Sequence, residues 1–466
     1  MKHPFHQTWL YEFHSRIFCK EHQCKLDQMT DSFWENPCVL SADEIWPMGV
    51  WKNSPASRTI ASAHSGLQKE YRKALSNFQE KDVIGSPYAV FSYDPNEEVS
   101  SKQGLIRFRD ALHSKNKKLI LDFVPNHLAI DSPYIDKFPD CFLKTNKEDQ
   151  NSFRHANGNL YVHGKDPYFD GWTDTIQWDF SKEKTILVHE NILIDIASIC
   201  DGVRCDMAML ALSDVFERTH GIRSLPYWER VIGKIKSIHP DFKFYAEAYW
   251  DKEYELQCLG FDGTYDKTLY DQFSHSDGIE VTGHLEAEIS YQNKSIRFLE
   301  NHDEERAALH FGNSSCDKFA ILCFLPGIIL YHSGQELGYT IKVPIQLGRM
   351  EKEKISSDTE TFYKRVFEII RNRKTEIKRT SPVLQMFDQG TALCYVLEYE
   401  TSKELLIWNP ENFPVSGRIQ LPMKEYYREN LKDQVSGKIF QIPKSEMEQE
   451  GMFFSLNPKE SQWFIF

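Results

Sequence analysis

Asp201-Gly-Val-Arg-Cys-Asp206 decides how this chain is read. A helical pattern over Lys184–Ile199 leads into it, and Gly202–Asp206 then reads as a short buried strand ending on a carboxylate. Three other segments repeat parts of that design: LDFVPNH at Leu121–His127, FYAEAYW at Phe244–Trp250 and RFLENHD at Arg297–Asp303. The acids Asp206, Glu247 and Asp303 each stand where an apolar run gives way to polar sequence. Polar groups gathered at successive strand ends, from residues far apart in the chain, are how parallel barrels assemble a site.

Outward from these segments, strand character recurs at Trp9–Phe13, Glu44–Val50, Lys118–Val124, Gly202–Asp206, Phe242–Ala246, Gly260–Tyr265, Ser295–Glu300 and Ile328–Tyr331. Helical patterns separate several of them, which predicts an α/β architecture with the strand count of a (β/α)8 barrel. The segment before the second strand is short, so the first βα unit is expected to be abbreviated. Phe362, Val366 and Ile370, with Tyr363 and Phe367 beside them, trace an apolar helical stripe, and Ser357 with Glu360 is a candidate capping box at its start. After about Arg379 the texture changes. Ala392–Glu400, Glu404–Trp408, Gly417–Leu421, Lys438–Ile442 and Trp463–Phe466 are short β-type runs, the pattern of a separate antiparallel domain.

In this order and setting, the four segments resemble the signature regions of the α-amylase family, the retaining α-glycosidases and transglycosylases. The resemblance implies a (β/α)8 TIM barrel over residues 1–125 and 186–379, with an inserted subdomain after the third strand at 126–185. It also implies a C-terminal antiparallel β-sandwich at 380–466. A structureless loop as long as the insertion would be uncommon unless functional. Its aromatic stretch Asp166–Thr175, with Trp178 beyond, either walls a sugar cleft or packs the insertion on the barrel.

Retaining glycoside hydrolysis needs a carboxylate nucleophile and a second carboxyl that first gives and later takes a proton. The resemblance places the nucleophile at Asp206. Arg204, two residues earlier, leaves the same face of the strand and would hold that carboxylate ionised; the rival is an ordinary ion pair. Glu247, among apolar and aromatic neighbours, is the expected proton donor, with its pKa raised; the rival is a strand cap. Asp303 is implied to stabilise the oxocarbenium-like transition state, with a helix N-cap as its rival. His127 and His302 match family positions that hydrogen-bond the sugar being cleaved, and Tyr88 in Gly85-Ser-Pro-Tyr matches an aromatic platform. Asp122 is expected to organise Arg204 and the barrel floor rather than to touch substrate. No cofactor is expected. The family's structural calcium would draw on Asn126, but Asp170, Asp174 and Asp179 match no calcium loop in spacing, so Asn126 reads as structural.

The chain also departs from the pattern. Met209-Leu210 stands where true α-amylases often carry a Lys-His pair, which favours short oligosaccharides or transfer over internal cleavage of starch. Arg349 is expected either in the cleft or in a salt bridge to the adjoining helix. The 466 residues hold 55 Lys and Arg against 68 Asp and Glu, a net charge of −13, which argues against nucleic acid or an anionic membrane as partner. No apolar run reaches membrane-spanning length, and Met1–Phe13 lacks the core of a signal peptide. Ten cysteines without CxxC spacing read as reduced thiols, which together predicts a cytoplasmic protein. The expected activity is retaining hydrolysis of α-linked glucans or oligosaccharides. An α-glucanotransferase or sugar isomerase with the same residues is the enzymatic alternative, and a non-catalytic carbohydrate-binding scaffold is the remaining one.

Overall fold

The computed structural model describes residues 5–275, 278–373, 377–399, 402–421 and 427–466. Eight parallel strands close into a barrel: β1 (Gln7–His14), β2 (Glu44–Met48), β3 (Lys118–Phe123), β4 (Gly202–Cys205), β5 (Lys243–Ala246), β6 (Gly263–Tyr265), β7 (Ser295–Arg297) and β8 (Gly327–His332). Each strand pairs with its neighbours in chain order, and β8 closes on β1 through Gln7↔Gly327 to Glu12↔His332. The strands are buried on both faces, so they appear in the sequence as continuous apolar runs rather than alternating ones.

All eight expected strands are present; β1 and β8 run longer than expected and the other six are trimmed. Strand β7 stops at Arg297, before the expected Glu300, because Asn301 folds the chain into a turn there. The first βα unit is broken, not simply short: helices Ser15–His22, Asp31–Trp34 and Pro37–Ser41 replace one long helix. The helix after β8 runs Ser357–Asn372, and its N-cap is Ser356, whose hydroxyl accepts from the Thr359 amide. The capping residue is therefore one earlier than expected.

Two excursions leave the top of the barrel. After β2, strands Trp51–Asn53 and Val90–Pro95 pair around helices Pro55–Ala63 and Ser65–Ala74. After β3, strands His127–Ala129 and Thr175–Gln177 pair antiparallel, as do Ser152–Arg154 and Leu160–Val162. Beyond residue 377 three antiparallel sheets form, the largest joining Lys378–Thr380, Leu393–Tyr399, Ser402–Trp408 and Ser461–Ile465. Met1–Pro4 and Glu400, part of the expected ranges, lie outside the described residues. This β unit is fastened to the barrel by Arg373, whose guanidinium grips Glu404 at 3.0 and 2.7 Å, both side chains almost fully buried.

Candidate active site

The β-ladder itself sets the spacing of the central acids. The Asp206 amide donates to the Phe123 carbonyl (2.9 Å) and the Glu247 amide to the Cys205 carbonyl (3.1 Å), so the acids extend β4 and β5 by one residue each. Arg204, level with Asp122 and Tyr245 on the neighbouring strands, points from the same face as Asp206. Its Nη1 donates to Asp206 Oδ1 at 2.6 Å, and its Nη2 lies 2.7 Å from Glu247 Oε2. One buried guanidinium therefore stands between two carboxylates. The rings of Tyr88, Trp46 and Tyr265, with centroids 5.1, 5.4 and 5.6 Å from its central carbon, enclose it.

Met207, next after Asp206, takes a left-handed φ of +43°, sparsely populated for a residue with a side chain. The turn aims the Met207 amide back at Glu247 Oε2, 2.7 Å away. Tyr249 donates its hydroxyl to Glu247 Oε1 at 2.8 Å. Burial pushes the Asp206 carboxyl up to about 7; Arg204 opposes the rise and the negative charge of Glu247 adds to it. Sequence reasoning did not foresee this rise at Asp206.

His302 is the second buried charge. Its Nδ1 hydrogen-bonds Glu12, and its Nε2 is 2.9 Å from Asp303 Oδ2 and 2.8 Å from the Tyr88 hydroxyl. Glu12 also pairs with His332 Nδ1 at 3.2 Å. Burial would lower the His302 imidazole, but Asp303 and Glu12 raise it to about 10. Burial likewise opposes ionisation of Glu12 and Asp303, yet the imidazolium holds both carboxyls below their ordinary values. A raised histidine contributes stability in full below about pH 6.5 and loses it as the pH climbs toward 10. Thermal denaturation should show the wild type losing stability across that window. His302→Gln should start lower and lose less, and parallel curves would contradict the assignment.

Asp206, Glu247, Asp303, Tyr88 and His127 line one cleft of about 590 Å³. Arg204 and His302 lie directly behind its wall. The Tyr88 ring stacks on His302, centroids 5.3 Å apart. His127 is pushed down to about 4 by burial and packs against Trp172. The aromatic stretch of the insertion divides between both expected roles. Trp172 lines the cleft, whereas Trp178 is fully buried and stacks on Phe142 at 4.1 Å.

Asp122 makes no direct hydrogen bond to Arg204; its carboxylate accepts from the Gly49 amide (2.8 Å) and from the indole of Trp46 (3.2 Å), the ring that packs on the guanidinium. Other expectations are corrected. Asp303 is not the cap of its turn, because Asn301 Oδ1 accepts from the amides of Asp303 and Glu304. Arg349 neither enters the cleft nor meets the adjoining helix; it pairs with Asp82, with both contacts at 2.8 Å. The calcium donors do not converge. Gln177 Nε2 occupies both the carbonyl and Oδ1 of Asn126, while Asp174 serves Ser57 and Asp179 serves Ser181. Among the described residues no group of three or more His, Cys, Asp or Glu could hold a metal ion.

Sequence reasoning missed Tyr249, Glu12 and His332. Tyr249 carried a usable signal, since a residue two after a strand-end acid points to the same side. Glu12 carried none, being one acid within an apolar run.

No family model matches the chain. It is 28% identical over 254 residues to alpha-amylase 3 of Dictyoglomus thermophilum, covering 48% of each chain. It is 25% identical over 276 residues to the alpha-amylase MalA of Haloarcula japonica, covering 55% of this chain and 38% of that one. Over about half its length the chain is similar in sequence to alpha-amylases. It spans about half the length or less of these curated relatives. In fold it is similar to the maltogenic alpha-amylase AmyB of Thermotoga neapolitana, with a TM-score of 0.67 at 17% identity and 98% of both chains covered. The barrel fold shared with that enzyme carries the site just described.

Proposed function

We propose that this protein is a retaining α-glycosidase acting on α-linked glucans or oligosaccharides. The observation that carries the reading is that Asp206 and Glu247 both line the cleft and are held by one guanidinium, Arg204, buried behind its wall. Asp206, with its negative charge favoured by the short Arg204 hydrogen bond, attacks the anomeric carbon. As that bond forms, the bond to the leaving oxygen breaks, and Glu247 gives its proton to that oxygen. The Tyr249 hydroxyl, which donates to ionised Glu247, accepts from it when it is protonated. Water then attacks the anomeric carbon, gives its proton to Glu247 and releases Asp206. Asp303, fixed by the His302 imidazolium, offers a negative charge where the oxocarbenium-like state is positive.

The same glycosyl-enzyme can pass its sugar to another sugar, so transfer is the alternative outcome of one chemistry. Ten free thiols, most of them buried, support a reducing, cytoplasmic setting. No helix among the described residues is long and apolar enough to cross a membrane. Incubation with maltotriose, followed by proton NMR from the first minutes, tests the reading. The first product should carry the α configuration. Shorter sugars alone indicate hydrolysis and longer ones transfer; initial β product, or no turnover of any α-glucoside, would contradict the proposal.

A further inference from the structure

The excursion after β2 and the loop after β8 meet above the barrel mouth. Arg349 holds Asp82 through two contacts at 2.8 Å and also reaches Asn77 Oδ1 at 2.8 Å. Backbone bonds continue the join: the Ile84 amide donates to the Gln346 carbonyl (2.7 Å) and the Gly348 amide to the Asp82 carbonyl (2.8 Å), with Val83 bridging Leu347. A Cβ on Gly348 would lie 2.7 Å from the Ile84 side chain, so glycine permits this approach.

Residues of the join line two cavities. On one side Ile345 and Gln346 line the catalytic cleft of about 590 Å³. On the other side Asp82, Ile84 and Gly348 line a second cavity of about 600 Å³. Nearer the acids, Lys342 Nζ donates to the Asp303 carbonyl and pins the same loop against β7's end. The direction of this closure follows from the strand order. The loops that join belong to β2 and β8, which flank β1, and β1 lies across the barrel from β5, the strand that carries Glu247. The proton donor must face the leaving group, so the join closes the opposite, glycone side.

We infer that the clasp between Arg349 and Asp82 makes this a chain-end enzyme, which takes sugar from the non-reducing terminus and cannot bind the middle of a glucan. This rests on the proposed glycosidase reading. Opening the clasp would merge the two cavities into a groove through which a chain could pass.

The test compares initial rates on maltoheptaose and on maltoheptaose whose terminal 4- and 6-hydroxyls carry an ethylidene block, with products separated by chromatography. α-Glucosyl fluoride, which needs only the glycone site, reports separately on the catalytic reading. The wild type should cleave the free heptaose at least tenfold faster than the blocked one. Arg349→Ala and Asp82→Ala should each raise the blocked-to-free ratio by a comparable factor, and Arg349→Lys by less. The readout is a ratio within each variant, so a general loss of activity cancels. Turnover of the fluoride with equal rates on the two heptaoses, or with neither cut, would overturn the inference alone. No turnover of the fluoride would overturn the glycosidase reading and this inference with it.

Discussion

Asp206→Ala should reduce turnover of any α-glucoside by about 10⁴-fold or more, the scale on which loss of a catalytic nucleophile acts. The removed carboxylate is the group that forms the covalent bond, and no neighbour can reach the same position. Arg204 keeps its contact with Glu247, so its charge is not left unpaired and the fold should survive. Circular dichroism and a cooperative melt would verify that. Small anions supply a sharper readout. Azide entering the emptied space should attack α-glucosyl fluoride from the nucleophile's side and yield the β-azide. Near wild-type turnover in this variant would refute the role of Asp206.

Glu247→Gln should lower the rate on substrates with poor leaving groups by about 10²- to 10⁴-fold, the range general acid catalysis supplies. α-Glucosyl fluoride needs no protonation to leave, so formation of the glycosyl-enzyme from it should be spared. Azide should then restore turnover and give the α-azide, the opposite anomer from the Asp206 variant. The pH profile carries a further sign. In the wild type the Asp206 carboxyl, pushed up to about 7 by burial, must ionise before it can attack, so activity should rise as the pH climbs toward that value. Glu247→Gln removes a negative charge that raises this carboxyl, so the rise in activity on the fluoride should move to lower pH. A rise at the same pH in both proteins would place the titrating group elsewhere.

The sequence made the barrel and the three acids legible for the same physical reason. Strands buried on two faces must be continuous apolar runs, and a polar residue at their ends stands out against them. That is why Gly202–Asp206 and Phe244–Glu247 could be read directly, and why even the three-residue strand Gly263–Tyr265 left a trace. Contacts between distant loops leave none. Arg349 and Asp82 lie 267 positions apart, and nothing local marks either as a partner of the other. Glu12 is similar: WLYEFH reads as a strand, but only the closed barrel reveals that Glu12 meets His302 and His332. The choice between Trp172 and Trp178 was likewise settled by packing, because both are aromatic residues in one irregular stretch.

The central claim is that Asp206 and Glu247 act on opposite sides of one anomeric carbon, with Asp206 becoming covalently glycosylated. A slow fluorinated substrate, 5-fluoro-α-glucosyl fluoride, should allow that intermediate to accumulate. Proteolysis and mass spectrometry of the trapped protein should then find one added fluoroglucosyl group, on the peptide containing Asp206. A label on any other carboxylate, or an active enzyme that never carries one, would contradict the account.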